Sequence, residues 1–360
     1  MSEIVAEIRG TAGLVTLNRP KALNALSLDM IRALTATLLA WAEDPRVHRV
    51  AVRGMGREGP FGAFCAGGDI RFFHQAVLAG DPRLEDFFTE EYTLNHLIHG
   101  YPKPYVVFMD GVVMGGGMGI SAHGSDDSLR IATERTKMAM PETAIGLFPD
   151  VGGGWFLARC PGRMGEYLAL TGQVIGGGDA VAARLADGVL VSSELPAAWE
   201  ALAHADSFEL LRERLRDAPS VARPLASQRA DIDRYFGLAT VQDIVQGLEA
   251  DGSAWATETA ALLRKRSPLM LHVTLEHVRR ARHMTLVSDL RMEREMVRNC
   301  FQLRPGTAGE TMEGIRALAV DKDHAPRWNP PRIEDVTQEM VQAFFASPWP
   351  AHAHPLHDLR

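Results

Sequence analysis

Two glycine turns and two carboxylates are the residues of this chain best suited to chemistry. Cys65-Ala66-Gly67-Gly68-Asp69-Ile70 and Met114-Gly115-Gly116-Gly117-Met118-Gly119 each follow an extended or strand-like segment and precede a helical one. Backbone N–H groups at such a turn have no helical acceptor, and glycine permits an approach that a Cβ would block. Each turn is therefore suited to an anion or a developing oxyanion. Tight packing of strand on helix explains a single glycine cluster as simply. Asp69 reads as the N-cap of the helix that follows. Further on, Glu142 and Asp150 stand eight residues apart in an otherwise apolar run. On an unbroken helix they would lie ~12 Å apart. Gly146 and Pro149 interrupt that helix, so the chain can fold back and bring both carboxyls to one pocket. Apolar surroundings would raise them toward the working range of an acid or base. First-turn or capping charge is the plainer reading of each.

Two other chemistries have partial signals. Gly117-Met118-Gly119-Ile120-Ser121-Ala122 partly matches a dinucleotide fingerprint, with Glu142 as its acid. That acid should end a strand beside a ribose, whereas Glu142 follows Pro141 and reads as the first turn of a helix. Ser121 and His123 suggest a serine hydrolase, but the nucleophile elbow requires glycine at position 123.

The elements that must position these residues follow from periodicity. Residues 4–8 and 14–17 alternate around a glycine turn and predict a β-hairpin. Ser27 caps a helix with the stripe Ile31, Leu34, Leu38 and Ala42, and Val50-Ala51-Val52 reads as a buried strand. Strands are expected again at 105–109, 129–131 and 137–140, with a short helix opened by the glycines at 115–119. The class is α/β to about residue 202. From 203 onward the composition turns to Ala, Arg, Asp and Pro, with helical stripes such as Leu286, Leu290, Val297 and Phe301, so residues 203–360 are expected to form a helical region. Its proline-rich tail from 347, with His352, His354 and His357, is expected to be frayed and fits no recurrent metal-ligand spacing.

Composition sets outer limits. With 360 residues, 46% hydrophobic and 23% charged, the chain is an ordinary globular one. A net charge of -7 excludes a broad nucleic-acid or anionic-membrane surface, so any polyanion site must be local. No apolar run reaches the ~18 residues of a membrane span. Cys65, Cys160 and Cys300 are odd in number and widely spaced, which predicts reduced structural thiols. The N-terminus carries no leader pattern, and a cytoplasmic location is the default expectation.

Taken in order, these segments resemble the crotonase (enoyl-CoA hydratase/isomerase) superfamily through nearly the whole chain. The segment 15–26, Val-Thr-Leu-Asn-Arg-Pro-Lys-Ala-Leu-Asn-Ala-Leu, is similar to the family's opening strand and the turn beside its CoA site. The turn at 64–70 resembles its first oxyanion turn, and that at 114–117 its second. The resemblance implies a spiral of β-β-α units with a C-terminal helical region, and a thioester oxygen held by the N–H groups of Gly68 and Gly116. Enoyl-CoA hydratases place one catalytic glutamate just after the triple glycine and a second in the Pro-Glu pair; here Gly119 occupies the first position and Glu142 the second. The segment 141–154, the motif Glu90-Glu91-Tyr92, and the stretches 312–317 and 320–323 instead resemble the 3-hydroxyisobutyryl-CoA hydrolase branch. In that branch the positions matching Glu91, Gly116, Glu142 and Asp150 contact substrate. The resemblance thus implies hydrolysis of a short 3-hydroxyacyl-CoA in valine catabolism. Glu142 would serve as general base or nucleophile, Asp150 as the second acid/base group, and Glu91 as acceptor for the substrate hydroxyl. It implies no metal, no cofactor beyond the CoA carried by the substrate, no nucleic acid or membrane partner, and an oligomeric state left open, since crotonase relatives form trimers or hexamers. Hydration or isomerisation of enoyl-CoA, and a non-catalytic acyl-CoA-binding subunit, are the alternatives. Arg19, Lys21 and Arg71 are candidates for the CoA phosphates and equally read as solvated charges.

Overall fold

A computed structural model describes residues 2–125, 127–204, 207–216 and 222–360. The chain divides into two units that interleave along the sequence. One comprises Met1–Gly68, Thr93–Ala139 and Val174–Ser227, and the other Asp69–Tyr92, Met140–Gln173 and Gln228–Arg360. This differs from the expected break after residue 202. Amphipathic helices need apolar partners wherever the chain supplies them, and here 69–92 and 140–173 are grouped with the C-terminal helices. Part of the region expected to be helical from 203, residues 205–206 and 217–221, lies outside the described residues.

The first unit is built on a six-stranded sheet, in the order Ile4–Arg9, Ala12–Leu17, Arg49–Gly54, Tyr105–Met109, Leu129–Ala132, Gly188–Val189. The opening hairpin is antiparallel, with Ile4 opposite Leu17. The remaining pairings are parallel. The strand Tyr105–Met109 is buried at every position, as an inner strand covered on both faces requires. Helix Leu28–Glu43 returns the chain from the hairpin to the third strand, capped by Ser27, whose side chain accepts from the N–H of Met30. Two strands of the main sheet are each followed closely by one that leaves it, Val112–Met114 after Tyr105–Met109 and Lys137–Ala139 after Leu129–Ala132. These two pair in parallel as a separate ribbon. That is the expected spiral of β-β-α units.

The second unit is almost wholly helical. The stripe Leu286, Leu290, Val297 and Phe301 is buried on helix Leu286–Gln302, as its period predicts. Within the unit, Phe73, Phe87, Phe88 and Phe301 form an aromatic cluster, with Phe73 centred 4.8 Å from Phe87 and 4.9 Å from Phe88. The tail is not frayed. The Arg291 guanidinium donates to the carbonyls of Leu356, His357 and Leu359, and Leu356 and His354 are buried. The three cysteines are buried thiols, and none of them is in a disulfide. Among the described residues no helix is long and apolar enough to cross a membrane.

Candidate active site

In the first unit the two glycine turns run side by side. Cys65 bridges Val113, the Cys65 N–H donates to Val112 O at 2.9 Å, and Met114 N–H donates back to Cys65 O at 3.0 Å. Glycine makes this approach possible. A Cβ on Gly117 would stand 2.3 Å from Cys65 O, and one on Gly67 would stand 3.1 Å from Met114 O and 3.5 Å from the nitrogen of Gly116. Gly67 and Gly115 also hold positive φ, 102° and 49°, where other residues are strained. The structure thus brings the segments carrying Gly68 and Gly116 together. Gly116 is the first residue of the short helix Gly116–Gly119. Ser121 is buried and donates to Gly117 O at 2.8 Å, so its hydroxyl is absorbed in the backbone of that turn. The serine-hydrolase reading loses its nucleophile. The Arg19 guanidinium donates to Ala25 O and pairs with Glu3, while Lys21 is exposed.

In the second unit Asp69 caps helix Ile70–Ala79, accepting from Phe72 N–H, as expected. Glu142 opens a 3₁₀ turn, Glu142–Ile145, which Gly146 ends at φ 67° while donating its N–H to Glu142 O. The fold-back predicted from Gly146 and Pro149 occurs, and Asp150 returns to the neighbourhood of Glu142. Helix Glu310–Ile315 supports the turn by direct backbone approach. A Cβ on Gly314 would lie 2.2 Å from Ile145 O, and one on Gly146 would lie 2.2 Å from Glu310 O. This gives the C-terminal motif at 312–317 a task, which is to carry the Glu142 turn.

Glu91, Glu142 and Asp150 are 2%, 5% and 6% exposed and act on one another electrostatically. Burial drives Glu91 well above the carboxylate range, and the charges of Asp150 and Glu142 add to it. Burial does the same to Glu142, with Asp150 the next cause. Asp150 is pushed up to about 6 by burial, against the hydrogen bond from Tyr92 and the charge of His277. The Tyr92 hydroxyl donates to Asp150 Oδ2 at 2.7 Å. Glu91 Oε1 and Glu142 Oε2 accept no hydrogen bond from any described residue. Buried acceptors of that kind are costly unless a ligand uses them.

Sequence reasoning missed Tyr92 as a partner of Asp150, and it missed His277, Asp289 and Glu293 altogether. The last two stand four residues apart on the buried face of helix Leu286–Gln302. That was a readable signal, because like charges at that spacing repel and a cation facing them offsets the repulsion. His277 supplies it, with Nε2 3.1 Å from Asp289 Oδ1 and 3.3 Å from Glu293 Oε1. Burial pulls His277 down, but Asp289 and Glu293 outweigh it and raise it to about 9, so the ring is charged at neutral pH. Ligand-type atoms of these three residues lie within 4.8 Å of one another, an arrangement that could suit a metal. Every carboxylate oxygen of the set, however, already faces an N–H group: Gly152 N–H and Gly154 N–H on Glu293, Trp155 N–H on Asp289, and the imidazole between them. The donor set fits an ion-pair network and not a cation site.

The profile of a family described as enoyl-CoA hydratase/isomerase matches residues 12–345. The 3-hydroxyisobutyryl-CoA hydrolase, mitochondrial, of Xenopus tropicalis is 41% identical over 94% of this chain and 87% of its own. Its namesake in Rattus norvegicus is 40% identical over 96% and 89%. A solved structure named carnitinyl-CoA dehydratase from Mycobacterium thermoresistibile superposes with a TM-score of 0.88 at 37% identity, covering 100% of both chains. One named enoyl-CoA hydratase from Rhodobacter sphaeroides 2.4.1 gives 0.87 at 37%, covering 96% of this chain and 98% of that one. The cytoplasmic location expected above is overturned by the first two names, both mitochondrial. A default drawn from a missing leader pattern has no weight against them.

Proposed function

The chain belongs to the enoyl-CoA hydratase/isomerase family, and on that footing we propose that it hydrolyses the thioester of a short 3-hydroxyacyl-CoA, 3-hydroxyisobutyryl-CoA first, to the free acid and CoA. The observation that carries the reading is the buried set Glu91, Glu142 and Asp150, with two orphaned carboxylate oxygens and Asp150 near 6. Its hydrolase-named relatives at 40–41% identity support it.

In the proposed reaction the thioester oxygen takes the N–H groups of Gly68 and Gly116, donors worth about 2.7–4 kcal/mol each in comparable sites. Glu142 removes a proton from water as the water oxygen bonds to the carbonyl carbon, or attacks that carbon itself to give a mixed anhydride that water then opens. Collapse breaks the C–S bond, and the departing thiolate takes a proton from the carboxyl set, in which Asp150 is the second acid/base group. Crowded carboxyls share protons and titrate as a set, so one serves as base while another holds the acid form. Glu91 accepts the substrate hydroxyl. No cofactor other than the CoA of the substrate enters this scheme.

Release of CoA thiol from a panel of hydroxylated and plain acyl-CoAs tests the reading. Thiol release confined to hydroxylated chains supports it. Loss of crotonyl-CoA absorbance at comparable rates would assign hydratase chemistry instead, and binding with neither reaction would assign a non-catalytic subunit. Gly119, where a hydratase carries its other glutamate, weighs against the hydratase outcome.

A further inference from the structure

Asp150 sits at the head of a backbone turn that should not hold by itself. Val151, a buried β-branched residue, adopts φ 59°, and Gly152 follows at φ 77°. Left-handed backbone is unfavourable for a β-branched side chain and persists only when its surroundings impose it. Here the surroundings are identifiable. Glu293 accepts Gly152 N–H through Oε2 at 2.7 Å and Gly154 N–H through Oε1 at 3.1 Å, and Asp289 accepts Trp155 N–H at 2.7 Å. His277 lies between the two carboxylates and against the chain. A Cβ on Gly154 would come 2.2 Å from its Nε2.

We infer that Glu293, together with His277 and Asp289, is a positioning group for Asp150: the three side chains grip the backbone of residues 152–155, impose the left-handed turn at Val151, and so aim the Asp150 carboxyl. The carboxylate oxygens of Glu293 and Asp289 are taken up by that backbone and by the His277 ring. Groups acting on Asp150 come from four elements: Glu91 and Tyr92 on helix Arg83–His99, Glu142 on the 3₁₀ turn, His277 on helix Pro268–Ala281, and Glu293 and Cys300 on helix Leu286–Gln302. Of these, His277 and the Tyr92 hydroxyl favour the ionised form, and the neighbouring carboxyls oppose it. The grip therefore orients Asp150 and offsets part of the repulsion it meets.

The inference rests on Asp150 being an acid/base group of the proposed hydrolase, and its test separates the two claims. Ionisation of Asp150 is followed by carbon-13 NMR of aspartate-labelled protein, with Asp150→Asn assigning the resonance, which needs no turnover. His277→Gln should raise the Asp150 midpoint by about one unit, the scale of one nearby opposite charge, while a merely structural His277 would leave it in place. In thiol release, Glu293→Gln should lower kcat at least tenfold with KM within threefold. Adding Val151→Gly, which adopts the turn without strain, should restore several-fold of that loss. An unmoved midpoint in folded His277→Gln overturns the inference, as does a loss in Glu293→Gln confined to KM or not relieved by Val151→Gly. Should Glu293→Gln fail to fold, the His277→Gln titration decides alone. Wild-type protein that releases no thiol refutes the hydrolase reading, and the titration still judges the grip.

Discussion

At the scale of single residues, the carboxyl set makes sharp demands. Glu142→Gln keeps the shape of the side chain and removes its basicity, so turnover is expected to fall a hundredfold or more with folding intact; a rate within tenfold of the parent would take Glu142 out of the reaction. Asp150 carries a stability consequence whose sign follows from its shift. Its pKa is raised in the folded chain from 3.8 to about 6, so its contribution is intact below about pH 4 and is lost as pH rises through 6. A shift of that size corresponds to about 3 kcal/mol. Asp150→Asn cannot ionise. It should match the parent at pH 4 and exceed it by roughly 1–3 kcal/mol at pH 8, and parallel urea midpoints across that range would contradict the assignment. Glu91 bears on substrate choice. A buried carboxyl oxygen left without the hydroxyl it accepts costs far more than a missing methylene, for which only about 10–200-fold is available. 3-Hydroxyisobutyryl-CoA and 3-hydroxypropionyl-CoA should therefore be cleaved at least a hundredfold more efficiently than isobutyryl-CoA, with Glu91→Ala erasing most of the difference. Equal kcat/KM for the two classes would remove hydroxyl recognition and leave the hydrolase proposal standing. The candidates Glu142 and Asp150 were legible because polar residues inside an apolar, glycine-broken run are unusual. Tyr92 and His277 were not, since nothing in a linear sequence says which distant hydroxyl or ring will face a given carboxyl.

At the scale of elements, the opening hairpin, the Ser27 and Asp69 caps and the buried stripe of helix Leu286–Gln302 were all readable, because each is set by residues within a few turns of one another, although the second hairpin strand is buried at every position and not at alternate ones. What periodicity left open was why the chain carries its 310–317 segment at all. The answer is a contact between segments more than 160 residues apart: Thr311 donates to Gly146 O at 2.6 Å, and Gly314 meets the Ile145 backbone. Gly314→Ala would drive a methyl to 2.2 Å from that backbone, where neither side is a flexible side chain. The expected cost is about 1–3 kcal/mol, accompanied by a fall in kcat as the Glu142 turn is displaced. Unchanged thermal midpoint and unchanged kcat would show that the helix is free to move away.

At the scale of the whole molecule, the sequence suggested a catalytic half followed by a helical half, because composition shifts near residue 203. Composition reports what a segment is made of and not which segments it packs with, so the interleaving of 69–92 and 140–173 with residues 228–360 could not be read from it. A fragment ending at residue 202 would keep two segments of the second unit and lose the third. Such a fragment is expected to show no cooperative unfolding transition and to bind hydrophobic dyes, and a sharp transition in it would refute the grouping of these segments. The order of synthesis is affected as well. The first unit has all its residues once position 227 is made, whereas the second must wait for the chain end, where Arg291 receives the last carbonyls. At roughly 5–20 residues per second, the apolar faces of residues 69–92 and 140–173 stay without their partners for many seconds on the ribosome, and in that interval this chain is most dependent on chaperones.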